Sequence, residues 1–147
     1  MSTVHLNLGS NLGDSRTLIA RAAAMLARAL APARLRLSDY VESAPWGYES
    51  PHPFTNMGIM LTTGRRLDPA EVLDATQAVE QALGAATPHR KPDGSYADRL
   101  IDIDIIDIDR LCVDTPRLIL PHPRMALRPF VTGPLLQLEP EYPLPEE

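Results

Sequence analysis

The sequence predicts an α+β fold, an antiparallel sheet with helices packed on it. Three observations carry that prediction. Val4-His5-Leu6-Asn7-Leu8 and Ile101-Asp102-Ile103-Asp104-Ile105 alternate with the period of two expected of half-buried strands. Two alanine-rich segments repeat their apolar residues at helical spacing. These segments succeed one another as strand, helix, strand, strand, helix, strand.

Each element has its own signals. Thr3 to Leu8 reads as the first strand, and Gly9-Ser-Asn-Leu-Gly-Asp14 turns the chain into a helix over 15–31, capped by Asp14 or Ser15. Leu18, Ala22, Met25, Leu26 and Ala29 give that helix one apolar face, and Pro32 follows its end. A second strand covers 34–42, a proline-studded loop 43–54 and a third strand 55–63. Asp68-Pro-Ala-Glu71 opens the second helix with an Asp cap, Pro at the first position and Glu at the third. That helix runs to about Leu83 and stops at Gly84. A long loop over 84–98 then leads to the fourth strand. Alternation changes phase at Ile105-Ile106, so in a regular strand Asp107 and Asp109 leave the face of Asp102 and Asp104. Asp109-Arg110 is expected to turn the chain into a hairpin returning through 111–113 or 117–120. A short helix near 124–137 precedes a proline-rich end. The order βαββαβ points to a ferredoxin-like sandwich, with two helices on one face of the sheet, formed as a single domain over 1–147.

Bulk properties narrow the function. A chain of 147 residues can bury a proper core, and 22% charged with 44% hydrophobic residues is ordinary for a globular protein. The net charge of −5 argues against a nucleic-acid binder. Cys112 is the single cysteine, so no internal disulfide forms, which fits a reducing cytoplasm. No apolar run approaches the length of a membrane span, and the first residues read as a strand rather than a signal peptide. A cytoplasmic monomer with small-molecule partners is the expectation.

The chemistry concentrates at Asp102 and Asp104. Spaced i, i+2 on a strand, they share a face about 6.6 Å apart. Two carboxylates so placed repel unless a cation lies between them. Mg²⁺ suits such a pair, since it takes one or two carboxylates and fills its other positions with water and phosphate oxygens. The spacing alone fits a solvated acidic strand face equally well. Loop 84–98 carries Arg90 and Lys91, and loop 43–54 carries the only Trp, Trp46. Long loops in compact domains are often lids or binding walls, although a solvated loop and an apolar plug explain these two as well. Gly9 to Gly13 matches no phosphate-loop pattern and reads as a tight turn. His122, between two prolines, reads first as a structural hydrogen-bonder, and Arg128 as a surface cation or a phosphate clamp. Gln77 and Glu80 read by themselves as solvated helix positions.

Taken together, Gly9-Ser-Asn-Leu-Gly-Asp14, Pro45-Trp-Gly47, Phe54-Thr-Asn56, Arg99-Leu-Ile-Asp-Ile-Asp104, Leu120-Pro-His-Pro-Arg-Met125 and Arg128-Pro-Phe130 resemble the 6-hydroxymethyl-7,8-dihydropterin pyrophosphokinase family, in order and over nearly the whole chain. The resemblance implies transfer of pyrophosphate from ATP to the hydroxymethyl group of a reduced pterin, releasing AMP, in folate biosynthesis. It places two Mg²⁺ ions on Asp102 and Asp104 and the pterin between Phe54 and Phe130, the only two phenylalanines of the chain. Asn56 would read the ring's hydrogen-bonding edge, with Ser43, Pro45 and Trp46 completing the pocket. ATP contacts fall on Gln77, Glu80, Tyr96, Arg99, Ile105, Arg117, His122 and Arg128, with Arg99, His122 and Arg128 bracing the triphosphate. Members of the family place two arginines in the loop after the second helix. Here that loop is longer and differs in sequence, with Arg90 and Lys91 as the expected replacements, and a lysine offers a point charge in place of a planar fork. Two other readings of the same chain are a small-molecule sensor of this fold and a nucleotidyltransferase that releases pyrophosphate.

Overall fold

The computed structural model describes residues 1–45, 50–84 and 100–145. Its main sheet is formed by β1 (Ser2–Ser10), β2 (Ala33–Leu37), β3 (Val41–Ser43), β4 (Phe54–Thr63) and β5 (Asp102–Ile108). The order is β2-β4-β1-β5, every pairing is antiparallel, and β3 continues along β4 beyond β2. Helices α1 (Ser15–Ala29) and α2 (Pro69–Gly84) cover one face. Asp14 caps α1 by accepting hydrogen bonds from the Thr17 amide and hydroxyl. Asp68 accepts from the Ala70 amide at 2.8 Å at the start of α2, as the sequence predicted.

Period-two alternation fills this first face. Val4, Leu6 and Leu8 of β1, Ile59 and Leu61 of β4, and Ile103, Ile105 and Ile108 of β5 pack on Ile19, Ala22 and Leu26 of α1 and Val72 and Val79 of α2. Each fully buried side chain of this size contributes about 1.5–3 kcal/mol. A third helix, α3 (Pro129–Leu138), covers the opposite face through Val131 and Leu135, together with Ile106, Met125 and Tyr142. α3 sits close because β4 offers no side chain at Gly58: an added Cβ there would lie 2.8 Å from Pro134 Cβ.

β1 runs on through Gly9 and Ser10, which the sequence placed in the turn, because both pair with β4. Four further details depart from the sequence expectations. The strand over 34–42 is two strands. Leu37 pairs with Ile59 but Val41 with Asn56, so the chain from 37 to 41 carries one extra residue. Buried Ser38 fills the break, its amide donating to the Gly58 carbonyl and its hydroxyl accepting from the Gly58 amide. β5 also bulges, since Leu6 opposes Ile105 while His5 opposes Asp107. The extra residue is Ile106, and it returns Asp107 to the face of Asp102 and Asp104, against the expectation for a regular strand. There Asp107 is buried and accepts a 2.6 Å bond from the Tyr142 hydroxyl. After Asp109 and Arg110, both at positive φ, the chain does not pair back onto β5. Instead β6 (Val113–Asp114) and β7 (Ile119–Leu120) pair with each other. Finally, the helix expected near 124–137 is a 3-10 turn over Met125–Leu127 followed by α3, because Arg128 is extended, as a residue before proline favours. Among the described residues no helix is long and apolar enough to cross a membrane.

Candidate active site

One row of residues crosses the sheet on its α3 face. Gly9 of β1 pairs with Asn56 of β4 on one side and with Asp102 of β5 on the other. Two residues along, Asn7 pairs with Gly58 and Asp104. Asp102 and Asp104 therefore stand on one face, beside a floor that has no side chain at Gly9. A Cβ at Gly9 would lie 3.1 Å from Asn56 Oδ1 and 3.4 Å from the Phe54 ring, so Phe54 and Asn56 lean over the glycine. Asn56 is buried and fixed, donating to the Val41 carbonyl at 3.1 Å and to Ser43 Oγ at 2.9 Å. Both of those donor hydrogens are used, so its carbonyl oxygen is the end that faces Gly9. The neighbouring segment is tethered by Asn11, whose amide donates to the His52 carbonyl at 3.1 Å.

The aspartates open onto a cleft of about 460 Å³ along the outer edge of β5. Thr76, Gln77 and Glu80 of α2 form one wall, and Arg117 and His122 belong to the other. Arg117 reaches across to Asp74 at 3.2 Å and Gln77 at 3.3 Å. Glu80 accepts from the Ile103 amide at 3.0 Å, and the His122 amide donates to the Ile106 carbonyl at 2.9 Å, so both walls are pinned to β5. Ile105 lines the cleft while its side chain is buried in the first core. Arg128, at the start of α3, places Nη1 3.7 Å from Asp104 Oδ2.

His122 is held in one form. Its Nδ1 accepts from the Arg124 amide at 3.2 Å, so the neutral ring carries its proton on Nε2. Burial lowers its pKa to about 4; the nearby Arg128 and Arg124 cations act the same way, and Asp102 opposes them. A depressed histidine pKa means that the unfolded chain takes up a proton between about pH 6.5 and pH 4 that the folded chain refuses. Stability from this group is present above that window and is lost as pH falls through it, by less than about 1.4 kcal/mol per pH unit for a partly solvated ring. Urea midpoints of the metal-free protein at pH 7 and pH 4.5 should converge with those of His122→Gln at the lower pH. Parallel curves would contradict this.

Two carboxylates on one strand face, with open space beyond them, suit a hard divalent cation that keeps positions for water and phosphate oxygens. Among the described residues no group of three acidic, histidine or cysteine side chains forms a closed cage.

The profile of the 7,8-dihydro-6-hydroxymethylpterin-pyrophosphokinase family matches residues 5–140. The chain belongs to this family. A 2-amino-4-hydroxy-6-hydroxymethyldihydropteridine pyrophosphokinase of Porphyromonas gingivalis (strain ATCC 33277) is 43% identical over 150 residues, covering 99% of both chains. The Bacillus subtilis protein of the same name is 37% identical over 134 residues, covering 91% of this chain and 76% of its own. The one from Methylorubrum extorquens is 34% identical, covering 96% and 85%.

The residues predicted from sequence fall into three groups. Asp102, Asp104, Gln77, Glu80, Ile105, Arg117 and His122 meet at the cleft, and Arg128 contacts Asp104. Ser43, Phe54 and Asn56 meet around Gly9, with Pro45 just beyond β3 and Phe130 two residues after Arg128. Trp46, Arg90, Lys91, Tyr96 and Arg99 lie outside the described residues, as do loop 84–98 past Gly84 and the centre of loop 43–54. Sequence reasoning missed Leu73 and Thr76, which also line the cleft. Extending the i, i+3 face of Gln77 and Glu80 back by one turn would have found them.

Proposed function

We propose that this chain transfers pyrophosphate from ATP to the hydroxymethyl group of 6-hydroxymethyl-7,8-dihydropterin, giving AMP and the pterin diphosphate, with Mg²⁺ on Asp102 and Asp104. The observation that carries this reading is the row Asn56-Gly9-Asp102, which sets a buried side-chain amide and the Phe54 ring beside a carboxylate pair on three adjacent strands. In a bound complex the hydroxymethyl oxygen attacks the β-phosphorus, the bond to the α-phosphate oxygen breaks, and AMP leaves with that oxygen. The hydroxyl proton passes to solvent or to an aspartate carboxylate.

The protein's part is positioning and charge placement, which is most of what phosphoryl transfer requires. Asp102 and Asp104 would hold two Mg²⁺ ions, whose charge neutralises phosphoryl oxygens and acidifies the hydroxyl. Arg128, beside Asp104, and His122, which lines the cleft, would brace the triphosphate, joined by Arg99. Gln77, Glu80, Ile105, Arg117 and Tyr96 would receive the rest of ATP, with Arg90 and Lys91 closing over the phosphates. Phe54 and Phe130 would hold the pterin faces, Asn56 its edge, and Ser43, Pro45 and Trp46 its rim. The Phe54 ring leans on Gly9 and the Phe130 carbonyl is held at Asn7, two residues or about 6.6 Å along β1.

The same reading takes the strand order as ferredoxin-like and residues 1–147 as one catalytic domain, working as a cytoplasmic monomer on small molecules. The net charge of −5 supports that choice over nucleic acid. Phosphorus NMR of a reaction with ATP, Mg²⁺ and the pterin tests it. AMP and a pterin diphosphate are expected, and release of free pyrophosphate would point to a nucleotidyltransferase.

A further inference from the structure

Helix α3 carries Pro134 in its interior. Proline has no N–H, so the carbonyl four residues earlier, that of Phe130, loses its helical donor. A buried carbonyl without a partner costs about 1–3 kcal/mol. Here the donor comes from outside the helix: Asn7 Nδ2 of β1 donates to Phe130 O at 3.0 Å. Asn7 is itself buried, at 5% exposure, on the sheet face that carries Asp104 and Gly58. Pro134 in turn rests on Gly58. The proline thus opens a vacancy in the helix, the asparagine fills it, and the glycine lets both approach.

We propose that Asn7 is a positioning residue that works with Pro134 to fix Phe130 as a wall of the proposed pterin pocket. A leucine or valine at position 7 could pack under α3, but it could not hold the carbonyl at one point. The hydrogen bond ties the first turn of α3 to the strand that also presents Gly9. The height of the Phe130 ring above the sheet is thereby set by a directed bond rather than by apolar contact alone. The inference rests on reading Phe130 as a wall of the pterin pocket.

A paired substitution tests it. Asn7→Ala should weaken equilibrium binding of the dihydropterin about tenfold, equivalent to 1.4 kcal/mol, while ATP affinity stays within twofold. Pro134→Ala restores an N–H at position 134 that can bond Phe130 O within the helix. The double variant Asn7→Ala/Pro134→Ala should recover pterin affinity to within threefold of the parent. If Asn7→Ala does not fold, Asn7→Ser serves instead, because its hydroxyl is too short to reach the carbonyl and the same recovery is expected. Equal losses for pterin and ATP, or no recovery in the double variant, would overturn the proposal and leave Asn7 a purely structural residue. Phe130→Ala separates the two layers. A loss of pterin affinity there, with none in Asn7→Ala, sinks only the positioning role. No loss in Phe130→Ala sinks the pocket assignment and the role of Asn7 with it.

Discussion

Replacing Asp102 or Asp104 by asparagine should cut turnover by about a thousandfold or more while leaving the fold in place. The size follows from what the charge is proposed to do. A thousandfold corresponds to about 4 kcal/mol of transition-state stabilisation, which is within reach of an ion that neutralises charge on transferring phosphoryl oxygens. The survival of the fold follows from exposure: both aspartates are only half-buried, and asparagine keeps their shape. Asp104 lies 3.7 Å from Arg128, so Asp104→Asn also loosens a partly exposed ion pair, worth about 1 kcal/mol or less. Steady-state kinetics at saturating ATP and pterin, run beside urea unfolding, make the measurement. Near-normal turnover in both variants would remove Asp102 and Asp104 from the metal site.

Much of this arrangement was readable before any coordinates, because it rests on period. Alternation in β1 and β5 fixed which residues enter the first core, and it put Asp102 and Asp104 together on the other side. The caps at Asp14 and Asp68 marked both long helices for the same local reason: short acidic side chains satisfy exposed amides. What escaped depends on partners. The bulge at Ile106 exists because His5 opposes Asp107 while Leu6 opposes Ile105, a mismatch between two strands that neither one reveals alone. Its result is that Asp107 joins the α3 face, accepting from the Tyr142 hydroxyl and from the Arg110 amide. The break at Ser38 is likewise a property of its pairing with Gly58. Asn7 was visible as a polar residue in the alternation of β1. Its partner could be named only once α3 was seen to lie across the sheet.

The placement of α3 yields the second large effect, expected for Gly58→Val. A Cβ at this position would sit 2.8 Å from Pro134 Cβ and 3.4 Å from the backbone of the same residue, with Leu138 at 3.5 Å. Pro134 is rigid and buried within a helix, so it cannot swing aside as the end of a long side chain would. Either β4 or α3 must move by several tenths of an ångström, and the two further methyl groups of valine enlarge the shift. Overpacking of this kind costs about 1–3 kcal/mol. The motion also travels to the site, since α3 begins at Pro129 and carries Phe130, with Arg128 as its cap. Gly58→Val should therefore lower the urea midpoint and weaken pterin affinity at least tenfold. Gly64→Val is the matched control, because nothing lies within 4 Å of a Cβ added there. It should leave pterin affinity unchanged and stability within about 0.5 kcal/mol, the usual range for surface substitutions. If Gly58→Val lowered stability but left pterin affinity at the parent value, α3 would not be what sets the pocket, and Phe130 would have to be held from elsewhere.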